Sequence, residues 1–151
     1  MEGLFRVNIH FEEVTKKNWE ECIELSVTDE QDAFVASNCE SILLSKFEKN
    51  CYPLCIYYAD KMIGFLMYDL DPDTKRWELS RFMVDEKYQG NGYGKEALSL
   101  LLLQLKKKLG SISFYTSIEP KNQVMKKLIQ SLGFSSTGEI MWDEEVFCIA
   151  L

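Results

Sequence analysis

A short glycine-rich loop followed by a lysine has the clearest chemical potential in this sequence. Three glycines alternate in QGNGYGK, residues 89–95, and a leucine-rich run follows at once. Glycine lets backbone N–H groups converge without obstruction by a Cβ atom, and the partly positive N-terminus of a following helix attracts anions. Lys95 adds a cation. The pattern favours a phosphate-binding loop; a glycine turn needed only for tight strand-to-helix packing is the alternative.

The two common nucleotide-binding loops do not match. A Walker loop reads G-x-x-x-x-G-K-[ST], whereas Gln89 replaces the first glycine here and Glu96 follows the lysine. The dinucleotide fingerprint G-x-G-x-x-G fails because Gly90 and Gly92 would require a glycine at position 95. These mismatches exclude ATP, GTP and NAD as ligands of the loop.

Length and composition favour one domain over residues 1–151. The chain has 151 residues, of which 46% are apolar, enough to bury a sizeable core. The longest apolar stretch, residues 98–105, is far shorter than the ~20 residues of a membrane span. The N-terminus lacks the basic-then-apolar order of a signal peptide. We therefore expect a soluble, cytoplasmic protein.

Charge and cysteine content narrow the class of partner. A net charge of −7 opposes binding to nucleic acid or to an anionic membrane and favours a small cationic partner. Five cysteines, odd in number and scattered, accompany a single histidine. This pattern predicts neither a disulfide framework nor a metal site.

Periodicity predicts an α/β (α+β) fold with a mixed, mostly antiparallel sheet of six to seven strands. The predicted order is βααβββαβαββ, in which strand, glycine loop, helix and strand form a crossover that requires two parallel strands. A first helix, capped by Thr15 or Asn18, carries Trp19 and Val27. The other predicted helices cover 39–47, 95–110 and 122–132. The predicted strands cover 4–11, 54–59, 62–70, 76–84, 113–118, 134–142 and 146–151.

Two motifs resemble those of a known family. Gln89-x-x-Gly92-x-Gly94 at a strand-to-helix junction resembles the Q/R-x-x-G-x-G/A motif of the GNAT family of N-acetyltransferases. Downstream, NQVMKKLIQSLGF, residues 122–134, is similar to that family's N-x-x-A-x-x-L-Y-x-x-x-G-F helix. The predicted element order is also the family's, so the resemblance covers essentially the whole chain. The segments at 62–73 and 81–95 look like the Blt-type spermine/spermidine acetyltransferases of bacteria.

The resemblance implies acetyl-CoA as the cofactor and no metal. It implies a pyrophosphate on the glycine loop and a pantetheine arm between splayed parallel strands, whose free backbone groups would pair with it. Asn122 would hold that arm, and the N–H of Val84 would also act catalytically by polarising the thioester carbonyl. The implied cofactor-binding residues are Phe82, Met83, Val84, Gln89, Gly90, Asn91, Gly92, Tyr93, Gly94, Lys95, Asn122 and Lys127.

Acetyl transfer to an amine requires a base, because the acceptor arrives protonated with a pKa of about 10. Glu78 is the only carboxylate in the strand at 76–84, and the resemblance places the base there; an exposed residue paired with a cation is the alternative. Ile129 stands where the family usually has a tyrosine that serves as general acid. Without that tyrosine, three alternatives are open for the departing thiolate: transfer is slow, water protonates the thiolate, or another donor such as Tyr115 or Ser117 does so.

Acidic residues concentrate on the first helix and the connection after it, a region that lines the acceptor site in the family. Glu24 and Glu30 are the candidates for binding an amine, and Trp142 could add a cation–π contact; a solvated acidic helix face is the alternative. We expect an acetyl-CoA-dependent N-acetyltransferase acting on a polyamine or a similar small primary amine. An enzyme for peptide N-termini or aminoglycosides is a second interpretation. A CoA-binding sensor with weakened catalysis is a third, favoured by Ile129. The resemblance also allows a homodimer.

Overall fold

A seven-stranded mixed sheet forms the centre of the molecule. The computed structural model describes residues 8–32 and 37–151, and the strand order in the sheet is β1-β2-β3-β4-β5-β7-β6. The strands are β1 (Ile9–Glu13), β2 (Cys51–Tyr58), β3 (Lys61–Leu70), β4 (Trp77–Val84), β5 (Ser113–Ile118), β6 (Ser135–Met141) and β7 (Glu144–Ala150). Neighbouring strands are antiparallel except β4 and β5, which are parallel. The predicted fold class is therefore confirmed.

Helices cover both faces of this sheet. They are α1 (Trp19–Glu24), α2 (Asp29–Asp32), α3 (Asn38–Phe47), α4 (Tyr93–Leu109) and α5 (Gln123–Ser131). The larger core lies between the sheet and helices α4 and α5, with Leu66, Leu101, Phe114 and Ile129 among its buried members. A smaller core under α1 contains Cys22, from that helix, packed with sheet residues such as Phe65. The site described below lies in the sheet between these two cores, where strands β4 and β5 separate.

Helix α4 shows why the glycine loop leads into a long, buried helix. Ala97, Leu98, Leu101 and Leu105 recur three or four residues apart and are all buried, which places one apolar stripe against the sheet. Leu103, on the opposite side, is exposed. The helix begins at Tyr93, two residues before its predicted start.

Some predicted boundaries were wrong. Helix α1 ends at Glu24, so Val27 lies beyond it, and the four-residue helix α2 was not predicted. A single turn of helix has too few residues for a periodic pattern to appear. Strand β2 begins at Cys51, three residues before its predicted start, and so includes Pro53. The pairing of β1 with β2 ends at Leu54, so no strand lies beside Pro53 on that side to accept the N–H that proline lacks. Of the predicted first strand, residues 4–7 lie outside the described residues.

Candidate active site

The parallel strands β4 and β5 separate after three residue pairs. Trp77, Glu78 and Leu79 pair with Phe114, Tyr115 and Thr116, and the pairing then ends. At the last pair, the Thr116 hydroxyl donates to the Leu79 carbonyl oxygen at 3.0 Å. Beyond this point β4 continues for five more residues, to Val84. The splayed parallel pair that the resemblance implied is therefore present.

Backbone groups at the end of β4 point into the gap between the strands. The Asp85 N–H donates to the Ile63 carbonyl oxygen at 2.7 Å, while Gly64 and Val84 are Cα partners. Hydrogen bonding alternates along an antiparallel ladder, so the N–H groups of Val84 and Phe82 turn away from β3 and toward β5. Because β5 pairs with neither residue, both N–H groups are available to a ligand.

The glycines of the loop are required for two different reasons, a left-handed backbone at two positions and close packing at the third. Gly90 and Gly92 have φ angles of 82° and 79°, in the left-handed region that a side chain disfavours. A Cβ atom at either position would meet no atom within 4 Å, whereas one at Gly94 would lie 3.3 Å from Cζ of Phe82. Tight packing therefore explains Gly94 alone. The other two glycines form an open turn at the N-terminus of the 17-residue helix α4.

A cavity of about 570 Å³ lies between this loop, the end of β4 and the start of α5. Ten of the predicted cofactor-binding residues line it: Phe82, Met83, Val84, Gln89, Gly90, Gly92, Tyr93, Gly94, Lys95 and Asn122. Asn91 and Lys127 are not among its lining residues. The Asn91 amide donates to the carbonyl oxygens of Tyr88 and Gln89. Lys121, which the sequence did not single out, does line it. We refer to this space as the cofactor cavity.

Side chains behind the loop fix its shape. The Gln89 amide donates to the Val84 carbonyl oxygen at 2.8 Å and exchanges two hydrogen bonds with the Gln31 amide. The buried Asp85 carboxylate accepts from the backbone N–H groups of Ser26 and Lys87. Gln31 and Asp85 were missed by the sequence reasoning because their partners are remote or depend on local turn geometry. Gln89 thus holds the loop through its side chain.

A second cavity of about 460 Å³ adjoins the first. Both are lined by Phe82, Met83, Asn122 and Met125. The second cavity is also lined by three carboxylates and an exposed aromatic residue: Glu78, Glu119, Glu144 and Trp142. Arg81 is the cation on its wall. This acceptor cavity, as we name it, therefore carries an excess of negative charge and suits a small cation.

Glu78 reaches this cavity beside a second carboxyl group. It is the Cα partner of Asp69 on β3, and directly opposed residues share one face of a sheet. A bulge in the β3–β4 ladder leaves Ser80 unpaired, so Arg81 also lies on the face of Glu78. Burial, followed by the interaction with Asp69, raises the pKa of Glu78 to about 8 despite the opposing effect of Arg81. Glu78 forms no ion pair with any residue that the structure describes, which disfavours the alternative of a surface salt bridge.

The predicted acceptor residues lie in three different places. Trp142 lines the acceptor cavity, on the tight turn between β6 and β7, where it and Asp143 have φ angles of 54° and 61°. Glu30 lines the cofactor cavity instead, and Glu24 is exposed on α1 and lines neither. The charge in the acceptor cavity comes from β4, β7 and the end of β5, which the sheet brings together.

Comparisons with known proteins agree with this geometry. The model of the Acetyltransferase (GNAT) family matches residues 11–134. The chain belongs to this family. The GNAT acetyltransferase described here is 32% identical over 148 residues to the spermine/spermidine N(1)-acetyltransferase of Bacillus subtilis strain 168, covering 92% of this chain and 95% of that relative. The resemblance identified in the sequence is thus confirmed.

Solved structures share the fold at low sequence identity. One is a spermidine N-acetyltransferase from Vibrio cholerae in complex with CoA and spermine, with a TM-score of 0.75 at 12% identity over 95% of each chain. Another is a GNAT family acetyltransferase from Elizabethkingia anophelis with acetyl-CoA bound, with a TM-score of 0.66 at 17% identity over 97% of this chain and 100% of that one. At these identities the likeness establishes the fold alone.

The position of the usual GNAT tyrosine provides no proton donor here. Ile129 is fully buried in the larger core and lines neither cavity. Tyr115 does not line the acceptor cavity, and its ring lies under the Arg76 guanidinium, whose central carbon is 4.3 Å from the ring centroid. Ser117 does line the acceptor cavity, but its hydroxyl donates to Glu144 at 2.8 Å. Neither substitute donor therefore lies free in that cavity.

The described residues contain neither a candidate metal site nor a helix that could span a membrane. In residues 8–32 and 37–151, no group of three or more His, Cys, Asp or Glu side chains is placed to hold a metal ion. Across the same two ranges, every helix is too short or too polar to cross a membrane.

Proposed function

We propose that this protein transfers an acetyl group from acetyl-CoA to a primary amine of a polyamine such as spermine or spermidine. The observation that carries the proposal is the acceptor cavity, in which Glu78, Glu119 and Glu144 face a small space that adjoins the cofactor cavity. Three carboxylates suit an acceptor that carries several ammonium groups. The identity with the Bacillus spermine/spermidine enzyme supports the same class of substrate.

The residues of the cofactor cavity fit acetyl-CoA. The open glycine turn and the N-terminus of α4 would hold the pyrophosphate, with Lys95 and Lys121 as cations at the same cavity. The inward-facing N–H groups of Phe82 and Val84 would pair with the amide-rich arm. Asn122 caps α5 by accepting from the Met125 N–H at 3.2 Å, which leaves its amide nitrogen to donate to that arm. When bound, acetyl-CoA would supply a thioester whose carbonyl carbon bonds to the amine nitrogen while the carbon–sulfur bond breaks and the sulfur leaves as a thiolate.

Glu78 is the group placed to take the proton from the ammonium. It lines the acceptor cavity, next to the residues shared with the cofactor cavity. A carboxyl group with a pKa of about 8 is a much stronger base than an ordinary glutamate, whose pKa is about 4.3. The proton passes to a Glu78 oxygen and leaves the nitrogen with its lone pair. Ionised Glu78 is therefore the active form.

The far side of the acceptor cavity would hold a second ammonium group. Glu144 is oriented by the hydrogen bond from Ser117, and Glu119 and Trp142 line the same cavity. A charged carboxylate binds an ammonium by a charge-assisted hydrogen bond, and an indole ring adds a cation–π contact. A monoamine would lack the group that these residues recognise, so the cavity favours diamines and polyamines.

The departing thiol needs little help. Cysteine, whose thiol is comparable, has a pKa of about 8.5, so a thiolate is a fair leaving group at neutral pH. Ile129 lines neither cavity, so the usual proton donor of the family is absent. We propose that water protonates the departing thiolate.

Release of the CoA thiol in the presence of candidate amines tests the function. Spermidine and spermine should release thiol well above the hydrolysis rate, with lysine peptides, aminoglycosides and a simple monoamine as comparisons. Binding of CoA by calorimetry without turnover on any amine would reject the proposal in favour of the sensor. Turnover confined to peptides or aminoglycosides would reject the polyamine assignment.

The homodimer and the cytoplasmic location stay predictions. Strand β6 is at the edge of the sheet, and six of its seven residues are exposed. Light scattering coupled to size exclusion would measure the oligomeric state directly.

A further inference from the structure

Asp69 has no assigned role in the chemistry, yet it lies directly beside the proposed base. We propose that Asp69 is a positioning residue for catalysis: its buried carboxylate lies next to Glu78 and strengthens Glu78 as the base that takes the proton from the acceptor ammonium. This inference rests on the proposed function. Asp69 lines neither described cavity, so it acts through Glu78 and not on the substrate.

The geometry that supports this role comes from the β3–β4 ladder. Asp69 and Glu78 are directly opposed residues in that ladder, and such pairs have Cβ atoms only about 5 Å apart. Asp69 is 8% exposed, so water screens its charge poorly. Like charges directly opposite each other destabilise a sheet. A protein that needed only a stable sheet at this position would be better served by an apolar residue or an opposite charge.

A dianionic carboxyl pair has a clear use at this position. The charge of Asp69 makes Glu78 hold a proton more tightly, and it also attracts an ammonium to the same end of the cavity. Burial raises the pKa of Asp69, whereas its hydrogen bonds with Ser80 and Glu78 lower it. The hydrogen bond with Asp69 has the opposite effect on Glu78, whose pKa burial and Asp69 together raise to about 8. Asp69 therefore loses its proton at a lower pH than Glu78. Activity then depends on the ionisation of Glu78.

Other charges also face Glu78, and the test must separate them from Asp69. Arg81 favours the ionised form of Glu78, and Asp71 opposes it. Tyr115 is the cross-strand partner on β5, and Cys51 is the partner of Asp69 on β2. Among the described residues, Arg76, just before β4, shares a small cavity with Glu78, and Glu119 and Glu144 line the acceptor cavity with it.

The variant Asp69→Asn tests the inference through the pH dependence of kcat/KM for spermidine. An asparagine keeps the shape, removes the charge and can donate a hydrogen bond to the Glu78 carboxylate, which favours its ionised form. We expect the ascending limb of the kcat/KM profile to move to lower pH by about one pH unit. The plateau value of kcat/KM above this limb should fall by roughly threefold to tenfold, because Glu78 is then a weaker base. A purely structural role would lower the rate without moving the limb. A limb that stays in place in a folded variant would overturn the inference.

Asp73→Asn is the matched control. Asp73 lies exposed in the turn between β3 and β4, so this variant removes the same charge from the same hairpin. Its pH profile should superimpose on that of the wild type. A limb that moves equally in both variants would assign the effect to net charge and overturn the role of Asp69.

A carbon-13 NMR titration of the glutamate carboxyl groups provides a readout that needs no turnover. The Glu78 signal, assigned by its absence in Glu78→Gln, should titrate near pH 8 in the wild type and at lower pH in Asp69→Asn. If no amine is acetylated, the proposed function fails while this titration still decides whether Asp69 controls Glu78. If Asp69→Asn does not fold, a wild-type Glu78 signal that titrates at an ordinary glutamate pKa would overturn the inference by itself.

Discussion

Replacing Glu78 by glutamine removes the proposed base with little change in shape. Glutamine keeps the length of the side chain and its position on β4, and it cannot accept a proton at any pH used in an assay. The variant should also relieve the repulsion with Asp69, since only one carboxylate remains. A loss of activity in Glu78→Gln would therefore report the missing base and not a damaged fold.

The structure allows the size of this effect to be worked out. Transfer of a proton from an ammonium of pKa about 10 to an ordinary glutamate is unfavourable by a factor of about 10⁶. With the pKa of Glu78 at about 8, the same transfer is unfavourable by a factor of only about 100. General base catalysis by a well-placed group contributes about 10²- to 10⁴-fold, so kcat/KM for spermidine should fall by at least about 100-fold.

The assay is CoA thiol release with spermidine between pH 6 and pH 10, analysed as kcat/KM. In the wild type the rate should rise with pH through about 8, because Glu78 must lose its proton to act. Glu78→Gln should lack this limb, and circular dichroism should show an unchanged fold. A variant that retains both the limb and the rate of the wild type would refute the assignment of Glu78 as the base.

Three further predictions concern the loop, the acceptor cavity and stability. Gly92→Val should weaken CoA binding by about fivefold or more by calorimetry, because a β-branched residue disfavours a φ of 79° by about 1 to 3 kcal/mol; unchanged affinity would remove the loop from the cofactor site. Glu144→Gln should raise KM for spermidine about tenfold with little change in kcat, since a charge-assisted hydrogen bond is lost. The control Glu24→Gln, away from both cavities, should leave KM unchanged. Equal effects of the two variants on KM would contradict the assignment of Glu144 to the acceptor cavity. Glu78 has a pKa of about 8 in the folded protein, raised from 4.5, so its protonated form stabilises the fold and this stabilisation is lost as pH rises through that interval. The wild-type Tm should therefore fall between about pH 4.5 and pH 8 and level off above it, and it should fall less steeply in Glu78→Gln; parallel curves would argue against a perturbed Glu78.

The sequence predicted the sheet well because alternating apolar residues and glycine turns are local signals. The strand at 113–118 was predicted with its observed bounds, and the crossover through the glycine loop required the parallel pair that is present. The loop glycines predicted an anion site from the sequence, since convergent backbone N–H groups at a helix N-terminus favour an anion; a turn needed only for packing was the alternative, and the structure assigns packing to Gly94 alone.

The acceptor cavity could not be predicted in the same way. Asp69 meets Glu78 only because of the register of two strands and the bulge at Ser80, and no local pattern gives a register. Glu144 approaches β5 through the pairing of β5 with β7. An acidic helix was the more visible signal, yet Glu24 lies away from both cavities because charged residues on a surface helix need no partner.

The hairpin of β6 and β7 contributes residues to the acceptor cavity and none to the cofactor cavity. Residues of the cofactor cavity come mainly from 82–95 and 121–128, whereas Trp142 and Glu144 come from a hairpin near the C-terminus. The turn conformation depends on two residues, Trp142 and Asp143, whose backbone is left-handed. Under the proposed function, substitutions in this hairpin can alter which amine is accepted while the cofactor cavity stays intact. This hairpin is therefore a part of the chain in which acceptor preference can change without a change in the residues that line the cofactor cavity.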